Sequence, residues 1–479
     1  MTRRRLLVGA GAGAATVVAT GAYRGLPAWA RTFARTAGTL RGPGSTPFPH
    51  LPVGHPTPGL ERIEHIVVLM MENHSFDNLL GMVPHQVRGR KRVDGLTVAG
   101  GRVQNTNPTS VTPNGVQGPS VGATLAASPC QGPGVSQDWN ASHLAWNAGA
   151  NNGFVQASSP QAMWFWDETT LPTTYSLARH YPLGERYFSS VLAQTYPNRR
   201  FLFCGTASGL TATNSYTFAV SAANGTIFNQ LLEHGISWRN YVEPTSGALT
   251  GSPLIVPEFS RSTACTSRMV PMSQFFSDAA AGKLPAFSFL DPNYQVSSQE
   301  NPQDIQAGER LIAQVVRAVT HSPRWHRTAL FLTWDEGGGY YDHVPPPRAL
   351  APDSIQPLTD PQALTHPDQP LAPGGYDRYG FRVPLIVVSP WARANYVSRV
   401  VQDHTSILAF IERKWNLPAL SFRDANAHPM TDYFDFRKPA FAHPPRLSAP
   451  PQMQAGLELC KQAGLQPPAG TPGLAGVFG

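Results

Sequence analysis

The stretch IEHIVVLMMENHSFDNLLG, residues 63–81, decides the fold. Ile66 to Met70 form a largely apolar, β-favouring run that leads directly into Glu72, Asn73 and, after a His-Ser-Phe step, Asp77. A buried strand ending in oxygen ligands is how open α/β sheets present chemistry, because their sites lie beyond the carboxyl ends of strands. Taken alone, the same residues also suit a core strand followed by a solvated turn.

Residues 328–334 (TALFLTW) repeat the pattern and run into Asp335, Glu336 and three glycines, Gly337 to Gly339, then Tyr340-Tyr341-Asp342-His343. Glycine lets the backbone approach a ligand closely and adopt positive φ. Two adjacent carboxylates repel unless a cation or a shared proton holds them. Two acid-tipped strands can meet at one sheet edge, and there they make a metal site.

The rest of the chain supplies a sheet for these strands. Further strands are expected at 235–242, 286–290 and 383–388, and helices at 141–150, 173–181 and 404–416. Residues 303–321 place Ile305, Leu311, Ile312, Val315, Val316 and Val319 at helical spacing immediately before the 328–334 strand. Strands alternating with helices predict a mainly parallel sheet with helices on both faces. Residues 86–135, rich in Gly, Asn, Thr, Val and Pro, predict loops or a small β excursion.

Charged residues are only 14% of the 479, and 43 Gly with 46 Pro mark long connections rather than low complexity. Arg3-Arg4-Arg5 followed by an apolar run to Tyr23 and Ala28-Trp29-Ala30 reads as a twin-arginine export signal over 1–30. Without it the formal charge drops from +7 to +3. No basic stripe with interleaved aromatics appears, so nucleic acid is not expected as a partner. Residues 31–60 read as a Pro/Gly-rich linker, 61–440 as the catalytic domain and 441–479 as a Pro-rich tail. Cys130, Cys204, Cys265 and Cys460 form no C-x-x-C pair, which argues against zinc-thiolate, and export favours at least one disulfide.

The segments MMENHSFDNLLG (70–81), YFSSVLAQTYPNRRFLFCGT (187–206), DIQAGERLI (304–312), SPRWHRTALFLTWDEGGGYYDHVPPP (322–347), RVPLIVVSPWA (382–392) and DHTSILAFIE (403–412) resemble the bacterial phosphoesterase family of non-specific phospholipases C and related acid phosphatases. The resemblance implies an alkaline-phosphatase-like three-layer α/β/α sandwich with long loop insertions. It implies Glu72, Asn73, Asp335 and Glu336 as ligands of one divalent metal ion, with Thr195 as both ligand and nucleophile. His143 (with Asp138), His343 and His404 match histidines on the phosphate or leaving-group side. A ligand set of carboxylates, an amide and a hydroxyl suits a hard cation. The implied function is an exported, metal-dependent phosphoester hydrolase, phospholipase C-like, with an acid phosphatase or a weakened secreted binding protein as alternatives. Its implied partners are a phosphoester substrate, the twin-arginine export machinery and, peripherally, a membrane surface.

Two departures stand out. Asn301 occupies a place where the family often has histidine, and Glu185 stands where it often has aspartate. His74 has no catalytic duty on this reading. The string Gly118-Pro-Ser-Val-Gly122 matches G-x-S-x-G formally but lacks a preceding apolar strand and a following helix.

Overall fold

Seven residues of strand β1 (His65–Met71) pair in parallel with β6 (Thr328–Trp334), Met71 lying opposite Trp334. On its other edge β1 pairs in parallel with β5 (Phe287–Asp291). These are the central strands of a computed structural model that describes residues 40–451 and Cys460, except 113–114, 133 and 245–247. The remaining strands of the sheet are β2 (Leu183–Gly184), β3 (Trp238–Val242), β4 (Met269–Pro271), β7 (Leu385–Val388) and β8 (Val397–Ser398). Their order is β4-β3-β5-β1-β6-β7-β2-β8. Strands β1, β5, β6 and β7 are buried along nearly their whole length, which is why their sequences are continuous apolar runs rather than alternating ones.

Pairing is parallel from β4 through β6, while β7 runs antiparallel to β6 and to β2. The reason lies in the connection. Between Trp334 and Leu385 the only helical piece is the 3-10 turn Pro361–Ala363, so no crossover helix carries the chain back to the other end of the sheet.

Helices α3 (Pro172–His180) and α5 (Ile305–Thr320) pack together as one set, and α4 (Thr195–Cys204) with α6 (His404–Trp415) as another, giving the α/β/α layers. Every apolar position read in the 303–321 pattern is buried on α5. The β excursion within 86–135 is a hairpin of Thr106–Thr112 against Gly115–Gly122, and Ser120 of the G-x-S-x-G string is exposed on it.

Residues 40–60 lie against α6 rather than standing off the domain: Arg413 sits over the Phe48 ring, and Asn416 bonds the backbone of Phe48, Leu51 and Pro52. From the tail, Phe441 is buried and accepts from Trp325 Nε1. Cys130 and Cys460 form a disulfide, while Cys204 and Cys265 are free and buried. The export signal expected at 1–30 lies outside the described residues. Among the described residues no helix is long and apolar enough to cross a membrane.

Candidate active site

Strand register brings the two acid tips together. Because Met71 faces Trp334, the next residues, Glu72 and Asp335, emerge side by side, and Asp335 N donates to Met71 O at 3.1 Å. Asn73 follows with φ +64°, a left-handed conformation uncommon outside glycine and typical of strain kept at functional sites. It is held there by Asp335 Oδ1, which accepts from Asn73 N at 3.1 Å. The opposing loop must come equally close. A Cβ at Gly338 would stand 1.9 Å from Asn73 O, and Gly338 itself has φ +64°, so no side chain fits that position.

Thr195 arrives from the other direction as the first residue of α4, where the helix N-terminus favours negative charge. Its Oγ1 donates to Glu72 Oε2 at 3.2 Å. Four residues on, on the same helix face, Arg199 is fully buried and reaches Glu72 at 2.6 Å, Asp335 at 3.0 Å and Asp291 at 3.3 Å. The five expected residues, Glu72, Asn73, Thr195, Asp335 and Glu336, therefore share one site.

Its acids outnumber its one buried guanidinium. Burial first, then the neighbouring Asp335, pushes the Glu72 and Glu336 carboxyls well above their ordinary range. Glu300, from the loop before α5, is raised to about 8 by the same two causes in the same order. Arg199 is one positive charge among Glu72, Asp335, Asp291, Glu336 and Glu300. The Asn73 carboxamide makes the point locally: one terminal atom stands 2.7 Å from Glu336 Oε1 and 3.3 Å from Glu72 Oε2. With no cation present, either the amide nitrogen takes that position or a protonated carboxyl donates to the amide oxygen there. With a cation between the carboxylates the amide oxygen takes it and becomes a ligand. An all-oxygen donor set of this kind fits a hard divalent ion.

A model of the phosphoesterase family matches residues 63–418. The chain belongs to the phosphoesterase family. It is similar to phospholipase C B of Mycobacterium tuberculosis, 30% identical over 82% of each chain. Non-specific phospholipase C1 of Arabidopsis thaliana is 28% identical over 78% of this chain and 71% of its own. Non-hemolytic phospholipase C of Pseudomonas aeruginosa is 28% identical over 79% of this chain and 58% of its own. Among solved structures, a protein in the alkaline phosphatase superfamily from Vibrio parahaemolyticus aligns with TM-score 0.37 and 7% identity over 81% of this chain and 72% of its own, too distant to carry an argument.

The histidines of this phosphoesterase are placed differently from the clamp residues. His404, the first residue of α6, is buried with Nε2 on Asp335 O at 2.6 Å and Nδ1 on the Tyr187 hydroxyl at 3.0 Å, so it positions the strand end that carries Asp335. His343 has both nitrogens on carboxylates, Asp77 at 2.6 Å and Asp94 at 2.9 Å. These bonds outweigh burial, the largest single influence, and raise it to about 9. His143 places Nδ1 on Trp139 O of its own helix α2 (Trp139–Trp146), its ring 4.3 Å from that of Trp139, and burial lowers it to about 4. The structure thus gives His343 and His404 no open nitrogen for a phosphoryl group.

Among the described residues, Asp77, Asp342 and His343 form a group of three acid or histidine side chains whose donor atoms all lie within 4.8 Å of one another. That group already has its cations. Arg382 is buried against Asp342 at 2.8 Å and Asp77 at 3.1 Å, and Arg186 pairs with Asp94. Three acids face two arginines and a proton-holding imidazole, whereas the acids at the Glu72–Asp335–Glu336 clamp have Arg199 alone. The network's role is to tie helix α1 (Phe76–Leu80), just after the first acid tip, to the loop after the second.

Asn301 donates to the Tyr340 hydroxyl and to Gly132 O. Glu185 pairs with Arg399 and accepts from Asp94 N, away from the clamp. Both nitrogens of His74 are bonded, to Asn78 and to Gln299 O, as a structural histidine requires. Sequence reasoning missed Arg199, Asn198, Glu300 and Gln137. Asn198 clamps the turn before α4 through Ser190, Val191 and Ala193, and Gln137 comes within 3.3 Å of Asn73. The available signal for Arg199 was its spacing, four residues after Thr195 on a helix.

Proposed function

We propose that this chain is an exported, metal-dependent phosphoester hydrolase of phospholipase C type, with Thr195 as its nucleophile. The observation that carries it is the Asn73 carboxamide set between Glu72 and Glu336, in a buried group whose acids outnumber its one guanidinium. Glu72, Asn73, Thr195, Asp335 and Glu336 would hold the ion. When bound, a divalent ion there neutralises charge on the phosphoryl oxygens and lowers the pKa of a nearby hydroxyl.

The protein's own residues do the rest. The Thr195 hydroxyl donates to Glu72, so an acceptor for its proton stands in place. Attack forms an Oγ–phosphorus bond as the bond from phosphorus to the leaving oxygen breaks, the departing alkoxide taking a proton from solvent, and water later cleaves the Oγ–phosphorus bond, returning a proton to Thr195 Oγ1. The α4 N-terminus favours the negative charge that gathers there. Arg199 keeps Glu72 and Asp335 apart and aimed, and His404 fixes the backbone of Asp335.

The names of the relatives favour a phospholipid phosphodiester as substrate. The twin-arginine leader and the Cys130–Cys460 bridge support an oxidising compartment outside the cytoplasm. Thr195→Ala tests the reading. It should abolish hydrolysis of a chromogenic phosphodiester while the circular dichroism spectrum stays that of the parent, and equal activity would remove Thr195 from its role.

A further inference from the structure

The bridge between Cys130 and Cys460 fastens the loop that supports the clamp. Cys460 is buried, and the chain before it is fixed on α3, where Ser448 N donates to Ser176 Oγ and Thr173 Oγ1 donates to Ser448 O. Cys130 pairs in an antiparallel bridge with Asp304, the N-cap of α5. The next residue, Gln131, is fully buried. Its backbone N donates to Gln303 O at 3.2 Å, and its Nε2 donates to Gln299 O at 2.7 Å and to Glu300 O at 3.3 Å.

Loop 298–303 in turn holds both acid-tipped strands. Ser298 O accepts from Glu72 N at 3.0 Å. Gln299 Oε1 accepts at 2.9 Å from Nε1 of Trp334, the residue before Asp335. Gln299 O accepts at 2.9 Å from Nε2 of His74, the residue after Asn73. Gln299 has φ +73°, a left-handed conformation that a residue with a side chain keeps only where its surroundings hold it. One carbonyl therefore joins His74, beside the clamp, to Gln131, beside the bridge.

We propose that Gln131 is a positioning residue for the clamp, and that the Cys130–Cys460 bridge raises the clamp's affinity for a divalent ion by holding Gln131 in place; this rests on the clamp being a metal site. With the bridge open, Gln131 loses its covalent anchor, Gln299 loses a donor that keeps it left-handed, and the backbone of Glu72 is freed to shift. Closing the bridge turns two thiols into one disulfide, and their two electrons and two protons pass to an exchanging disulfide, which leaves as a dithiol. A bridge spanning 330 positions also restricts the unfolded chain. Losing that effect lowers stability but leaves the folded protein's metal affinity unchanged, so affinity separates the two roles.

The test is a calorimetric titration of the chelated full chain with Mg²⁺, Ca²⁺ and Mn²⁺ in turn, the hard cations an oxygen donor set takes. The variants are Gln131→Leu, Cys130→Ser with Cys460→Ser, and all three substitutions together, each checked for folding by circular dichroism. For the ion the parent binds most tightly, Gln131→Leu and the serine pair should each weaken binding about tenfold, as loss of a partner behind the metal ligands does. The triple variant should bind no more weakly than Gln131→Leu, because the bridge acts through that residue. An affinity within about twofold of the parent in either of the first two overturns the inference, as do losses that multiply in the triple variant. A serine pair that fails to fold makes the bridge a stability element and overturns it equally. A parent that binds none of these ions overturns the reading of the clamp, and this inference with it.

Discussion

Replacing Arg199 with leucine probes the charge balance of the site. The side chain is buried, so substitution leaves Glu72, Asp335 and Asp291, bonded to it at 2.6, 3.0 and 3.3 Å, without their common cation. Removing one partner of a buried ion pair costs about 3–5 kcal/mol, because the orphaned charge stays out of water. That is a large share of the roughly 5–15 kcal/mol that holds a typical domain folded. Urea unfolding followed by tryptophan fluorescence should show a lower midpoint for Arg199→Leu. A saturating divalent cation should restore part of the loss, about 2.7 kcal/mol at a hundred times its Kd, since it answers two of the same acids. A variant that unfolds at the parent's urea concentration, with and without metal, would refute the reasoning.

Two further predictions concern the supporting structure. Gly338→Ala puts a Cβ 1.9 Å from Asn73 O at φ +64°, so thermal unfolding should show a loss of about 2–4 kcal/mol, and metal titration a weaker affinity as Asn73 is displaced. His343 is raised to about 9, above its unfolded value near 6.5, so its contribution to stability is complete below about pH 6.5 and lost as pH rises through 9. The stability gap between the parent and His343→Gln should therefore be wide at pH 6 and narrow at pH 10. A gap that does not change with pH would place the pair's effect in packing instead.

How much of this was legible beforehand varies by element. The run 66–70 and its partner 328–334 are readable because a strand covered on both faces must be continuously apolar, and the acids at their tips stand out against it. Helix 305–320 is readable from its 3.6-residue period. The reversal of β7 is not, since strand direction depends on whether the long 335–384 connection crosses the sheet, and its composition does not say. Within the site, Glu72, Asn73, Asp335 and Glu336 announce themselves as polar groups at strand ends. Arg199 does not, because an arginine on a helix ordinarily faces solvent, and only the fold turns it inward onto three carboxylates. His343 shows the reverse problem: a histidine in a dense motif looks chemical, yet its two neighbours, Asp77 and Asp94, come from distant segments that close around it.

The measurement that bears most directly on the central claim is phosphodiester hydrolysis by the parent protein after exhaustive chelation, and again after a divalent cation is restored. The account predicts activity near zero in the stripped protein and its return with about one ion bound per chain. Full activity in a protein shown to be free of metal would contradict it.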